Sequence, residues 1–151
     1  MTATCREACC SATPRLTVTE LFERGFRRNR TAPLSIEGAR CTDAEGHAAA
    51  FSLDIADGKI AAASFRASSC TTLIAYCEYI VQAVAGVRAE LAGALTSAAL
   101  VSAVSGVPPI KRQRAVLALA AFRSALAASG RLEMKGEYRD ESCLHLRHPA
   151  P

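Results

Sequence analysis

Apolar residues first fall into a helical rhythm at Leu21, Phe22 and Phe26, behind Thr17 and Thr19, either of which supplies an oxygen that caps a helix start. Arg27, Arg28 and Arg30 give that helix a basic end, and Pro33 turns the chain into an extended stretch. The period then shortens to two: Phe51, Leu53 and Ile55 alternate with Ser52 and Asp54 across 48–55, and 60–67 extends again after Asp57-Gly58. Two such runs joined by Asp-Gly predict an antiparallel hairpin. From Ser69 the period is helical once more, with Leu73, Ile74, Cys77, Ile80, Val81 and Val84 on one stripe and Gly86 as the stop. Short helices are expected over 88–95 and 97–104. A rigid Gly106-Val107-Pro108-Pro109 loop follows, and then a long helix from about Ile110 to Gly130. This order predicts an α+β fold, a small antiparallel sheet of about three strands with the helices packed on one side. Residues 1–14 read as a flexible N-terminal tail, 15–130 as the folded domain and 131–151 as a polar peripheral segment.

Composition narrows the class. At 151 residues, half of them hydrophobic and 21% charged, the chain buries a sizeable core, which excludes disordered and fibrous classes. Aromatics make up 5% and Trp is absent, so the core rests on Ala, Leu, Val and Ile. The net charge of +4 is mild. The basic stretches Arg24 to Arg30 and Lys111 to Arg114 lack interleaved aromatics, which argues against a nucleic-acid partner. Leu91 to Ile110 runs uncharged for the length of a membrane span, but Ser, Thr, Gly and the Pro108-Pro109 pair break it up, so no membrane partner is expected. The first residues hold no apolar run of signal-peptide length, and a cytoplasmic location is expected.

The candidate chemistry lies with sulfur. Seven cysteines, an odd number in a reducing compartment, argue against a disulfide framework and leave metal binding, sulfur chemistry and burial. Cys70 stands where the second hairpin strand meets a helix, and the positive end of the helix dipole favours a reactive thiolate there; a small buried corner residue is the alternative. Cys77, seven residues along the same helix, reads as core. Cys41, Asp43, Glu45 and His47 fall within seven residues of one loop, and all are iron or zinc ligand types; a solvated acidic loop is the alternative. The hairpin brings this loop and Cys70 to the same end of the sheet. Cys5, Cys9 and Cys10 read as a tail cluster without a role, and Cys143, His145 and His148 as part of a peripheral strand.

These pieces, in this order, resemble the NifU/IscU-type iron-sulfur cluster assembly scaffolds over roughly Leu16 to Ala128. The likeness rests on Arg27-Arg28-Asn29-Arg30 after the first helix and on Cys41-Thr42-Asp43. It rests also on the hairpin leading into Cys70 and on Val107-Pro108-Pro109-Ile110-Lys111 before a helix. The resemblance implies a SufE/NifU-like fold and a scaffold or carrier rather than an enzyme. It implies iron, zinc or a [2Fe-2S] cluster held by Cys41, Asp43, Cys70 and His47. It implies a cysteine desulfurase as sulfur donor, and an Hsp70-type chaperone at Pro108, Pro109 and Lys111.

The chain departs from the family pattern in two places. After the Pro-Pro motif the family reads Lys-x-His-Cys, whereas here Lys111 is followed by Arg112, Gln113 and Arg114. A guanidinium stays protonated and cannot ligate a metal in the ordinary way. The loop after Cys41 is also longer, so that counting back from the hairpin places Glu45 and His47 where the family's first Cys and Asp fall. Two further readings follow. One is a SufE-like persulfide acceptor without metal, using Cys70 or Cys41 with Arg114 beside the thiolate. The other is a degenerate paralogue acting as an interaction module. A homodimer could supply missing ligands from a second copy.

Overall fold

The computed structural model describes residues 16–130; the expected N-terminal tail, its cysteine cluster and the 131–151 segment with Cys143, His145 and His148 lie outside the described residues. The chain runs β1 (Leu16–Thr17), α1 (Val18–Arg28), β2 (Ile36–Glu37), β3 (Cys41–Thr42), β4 (Ala48–Ala56), β5 (Lys59–Ala67) and α2 (Thr71–Val84). It continues through α3 (Ala89–Ala92), α4 (Ser97–Ala103), β6 (Val104–Ser105), a 3-10 turn (Pro109–Lys111) and α5 (Arg114–Ala128). The α+β class expected from the sequence is the one observed.

The hairpin forms where the Asp-Gly pair puts it. Asp57 and Gly58 are the whole loop between β4 and β5, and both have positive φ, 54° and 75°, the backbone that a two-residue turn needs to follow the twist of the strands. β4 and β5 pair antiparallel from Ala49↔Ala67 to Ala56↔Lys59, with one irregularity at Asp54/Ile55. On the other edge of β4, β2 pairs at Ile36↔Leu53 and β3 at Cys41↔Ala49. The sheet therefore has four strands but is three strands wide, because β2 and β3 share one edge. A feature absent from the sequence expectation is the parallel pairing of β1 with β6, Leu16↔Val104, which ties the start of α1 to the end of α4.

Alternation along β4 and β5 separates two faces. Phe51 lies opposite Phe65 with ring centroids 5.8 Å apart, and Phe122 of α5 meets Phe51 edge-on at 5.6 Å, so this face carries the helical layer. The Ser52↔Ser64 pair points the other way and is covered by the segment after α1: Leu34 N–H donates to Ser52 Oγ at 2.8 Å, and Thr31 and Ser64 hydroxyls lie 3.1 Å apart. Asn29 closes this cover by bonding both the N–H and the carbonyl of Ala67.

Thr17 caps α1 in a full capping box with Glu20, so the first of the two expected cap positions is used. The helix packs tightly on α2: a Cβ at Gly25 would stand 2.8 Å from Ile74 Cγ2. Beside it Glu78, 1% exposed, receives Arg28 through two bonds of 2.7 and 3.2 Å and Gln82 at 2.9 Å, so its buried charge is fully partnered. The last helix starts later than the expected Ile110. Pro108 and Pro109 set a short 3-10 turn first, and α-helical geometry begins only at Arg114.

Gly38, between β2 and β3, lets the sheet edge meet α5: a Cβ there would lie 2.5 Å from Ala125 N and 2.7 Å from Ala125 Cα. Since both are backbone atoms, Gly38→Ala should destabilise the protein by about 1–3 kcal/mol in chemical denaturation. An unchanged midpoint would show that the edge shifts freely.

Candidate functional site

The loop between β3 and β4 is locked by one side chain. Asp43 Oδ1 accepts the backbone N–H groups of Glu45 and His47, both at 2.9 Å, while Asp43 N–H donates to the His47 carbonyl and its own carbonyl receives Gly46 N–H. Gly46 completes the turn at φ 91°, where a side chain is disfavoured. With Oδ1 committed to the backbone, Oδ2 faces His47 Nδ1 at 3.4 Å, and Glu45 Oε1 lies 3.7 Å from the same nitrogen. One ligand atom each from Asp43, Glu45 and His47 lies within 4.8 Å of the other two. His47 Nδ1 is buried and makes no hydrogen bond.

Arg114 approaches from the first turn of α5. Its side chain is 7% exposed; Nη2 donates to Glu45 Oε1 at 2.6 Å, and Nη1 lies 3.8 Å from Asp43 Oδ2. Burial works against its charge, but hydrogen bonds to Cys70 and Glu45 and the charge of both outweigh it, so its pKa is raised above the ordinary value. Nε and Nη1 are buried without a hydrogen-bond partner. Cys70 is the N-cap of α2 and 8% exposed, as the sequence predicts for its position. Arg114 therefore bridges the Cys70 thiol and the acidic turn.

The other expected site residues are placed as follows. Cys41 sits on β3 with no exposed surface, within the core cluster, and it is disulfide-bonded, whereas the sequence argues against a disulfide framework. Its sulfur offers a thiolate only after reduction. Cys77 lies in the core, and burial, with the charges of Glu78 and Cys70, pushes its thiol well above the ordinary range. Pro108, Pro109, Ile110 and Lys111 are exposed, Ile110 by 79%.

Sequence reading left the register open among Cys41, Asp43, Glu45 and His47. The turn gathers the last three, because strand pairing Cys41↔Ala49 takes Cys41 into the sheet before the loop begins. What the sequence reading lacked is the lock itself. Its signal, Asp43 followed by a turn glycine at Gly46, is a recognisable Asx-turn pattern.

A metal ion fits the donor types and most of the spacing. Ligands about 2.1 Å from an ion stand roughly 3.4 Å apart in tetrahedral geometry, so the 3.4 and 3.7 Å from His47 Nδ1 to the two carboxylates nearly fit and the two carboxylates alone would have to close in. The ion would also have to compete with Arg114 for Glu45.

The family described as NifU-like N terminal domain matches residues 23–134 of this chain, most of its length. Among curated proteins none matches. Among the described residues no helix is long and apolar enough to cross a membrane.

Asp43→Ala, which removes the acceptor for one exposed and one part-buried turn N–H group, should cost about 0.5–1.5 kcal/mol of stability, whereas Asp43→Asn keeps Oδ1 and should lose much less. Equal losses in thermal or urea unfolding would assign Asp43's value to its charge and not to the turn.

Proposed function

The chain belongs to the NifU-like N-terminal domain family, and from that premise we propose that it acts in iron-sulfur cluster assembly as a scaffold-type protein. Its cargo is a single iron or zinc ion taken up by Asp43, Glu45 and His47 beside Cys70. The observation that supports this most is the convergence of three ligand-type atoms within 4.8 Å on a turn held rigid by Asp43 Oδ1. Carboxylate and imidazole donors suit a lone ion. A [2Fe-2S] cluster generally asks for four cysteine thiolates. This site has Cys70, with Cys41 in a disulfide, so a cluster would require reduction of Cys41 or ligands from a second copy in a homodimer. A cysteine desulfurase is the proposed sulfur donor, and the exposed Pro108-Pro109-Ile110-Lys111 segment is the proposed contact for an Hsp70-type chaperone.

The uptake of the ion is an exchange of cations. Arg114 holds Glu45 at 2.6 Å, so a metal displaces the guanidinium from the carboxylate and inherits the charge that Arg114 neutralised. The affinity is lowered by that competition, which suits a site that passes its cargo on. Arg114→Gln, neutral and still polar, should therefore bind zinc or ferrous iron about tenfold more tightly or better, as read by calorimetry. Equal or weaker binding would mean that Arg114 supports the site and does not compete for it.

A second reading has a specific observation behind it. Arg114 lies close enough to Cys70 for the two to interact electrostatically, which places a fixed positive charge near the sulfur, an arrangement suited to an anionic persulfide on Cys70 with no metal at all. Metal and acid-labile sulfide measured after anaerobic incubation with iron and a cysteine desulfurase separate the two. About one ion per chain, lost in His47→Ala while folding is retained, is the expected result. No ion in folded protein, with desulfurase-derived sulfur on Cys70 that disappears in Cys70→Ser, would replace the scaffold by the acceptor.

A further inference from the structure

The sheet face turned away from α2 and α5 carries a second polar feature, distinct from the Arg114 site. A cavity of about 290 Å³ opens there, lined by Asn29, Arg40, Ala48, Ala50, Arg66 and Ser68, with Ala67 at its end. That volume approaches the lower end of the range for small-molecule sites, about 300–1,000 Å³.

Strand register explains its shape. Ala50 of β4 lies directly opposite Arg66 of β5, and Arg40 immediately precedes β3 on the other edge of β4. Two arginines therefore flank a central strand whose side chains in the cavity, Ala48 and Ala50, are single methyl groups. Larger residues at those two positions would fill the space. The walls are fixed by bonds already in place. Asn29 is held by both backbone groups of Ala67, and Ser68 Oγ receives Ala48 N–H at 2.8 Å. Arg66 Nε donates to the Thr31 carbonyl at 3.2 Å, which anchors the guanidinium through one of its three nitrogens.

Charge then decides what the cavity accepts. The arginine ion pairs of the described residues join Arg28 to Glu78, Arg88 to Glu90 and Arg114 to Asp43 and Glu45; neither Arg40 nor Arg66 has a carboxylate partner among the described residues. Glu37 shares with Arg66 only an adjoining cavity of about 40 Å³, room for little more than water. Arg40, just before β3, and Arg66 on β5 flank β4 about two strand spacings apart, roughly 10 Å between backbones, and both line the cavity whose floor is Ala48 and Ala50. Such a pair grips two separated anionic ends better than one compact ion, since each fork matches a carboxylate in two parallel bonds.

The geometry points to a binding site for a short dicarboxylate, about four carbons long, held between Arg40 and Arg66 over Ala48 and Ala50. The site is independent of the metal reading, because it shares no residue with Asp43, Glu45, His47, Cys70 or Arg114.

Succinate titrated into the whole protein, by calorimetry or by amide chemical shifts, tests it directly, with acetate and inorganic phosphate as the one-ended comparisons. Saturable succinate binding is expected, about tenfold or more tighter than either comparison, and reduced about tenfold or more by Arg40→Gln and by Arg66→Gln. Arg88→Gln, which removes an exposed charge elsewhere, should leave it unchanged. Ala50→Leu keeps every charge and fills the floor, and it should abolish binding; its melting temperature confirms that it is folded. Absence of saturable binding overturns the site, as does equal affinity for acetate or phosphate. Binding that survives Ala50→Leu in folded protein also overturns it, since the attraction would then be the general charge of the surface.

Discussion

Arg114 holds one end of this molecule together because its guanidinium is enclosed by groups from three separate elements. It belongs to the first turn of α5, it interacts electrostatically with the N-cap cysteine of α2, and it bonds Glu45 in the turn between β3 and β4. At 7% exposure it cannot turn to solvent without opening the packing around it, and a buried charge left without its partners is among the costliest defects a fold can carry. Sheet, α2 and α5 are thus fixed relative to one another at the point where the candidate chemistry is concentrated. The aromatic contact of Phe51 with Phe65 and Phe122 fixes the sheet against α5 further along. Between those two points the relative position of strand and helix has little freedom, and Gly38 against Ala125 shows how closely the layers approach.

Much of this was legible from the sequence because it is local. The Asp57-Gly58 turn carries its own backbone preference, the alternation of Phe51, Leu53 and Ile55 marks the core face, and the change of period after Ser69 places Cys70 at a helix start. Residues whose role depends on distant partners were harder to read. Nothing near Glu78 in sequence announces that it is buried, since its partner Arg28 stands fifty positions away. The two-residue strands β2, β3 and β6 have no periodicity to display, and their pairing is decided by β4 and β1. The loop register was open for the same reason. Only the pairing of Cys41 with Ala49 separates a cysteine inside the sheet from the Asp43, Glu45 and His47 group outside it.

The substitution at Arg114 illustrates how a site can keep its architecture while its chemistry changes. The resemblance to NifU/IscU-type proteins places a cysteine at this position, and a thiolate there would add negative charge to a site that already holds Asp43 and Glu45. A guanidinium does the opposite, neutralising the acidic turn without any ion. The fold no longer needs a metal to balance the site, which separates folding from cargo. It follows that metal binding, where it occurs, contributes less to stability than it would in a site built of unpaired anions, because the ion replaces an existing cation.

The same reasoning extends to how cargo would leave. In a site whose ligands have no alternative partner, releasing a metal exposes several like charges at once and is slow. Here Glu45 can return to Arg114 as the ion departs, and Asp43 Oδ2 lies within 3.8 Å of the same guanidinium, so the charge on the turn is balanced again as soon as the ion is gone. Glu45 is the more exposed carboxylate of the set, 56% exposed where Asp43 is 19% and is held by two backbone bonds. The carboxylate more open to solvent is also the one Arg114 holds most closely. An exchange between two cations at one exposed carboxylate needs no rearrangement of the sheet or the helices, and a protein that hands on what it binds gains from keeping that exchange local.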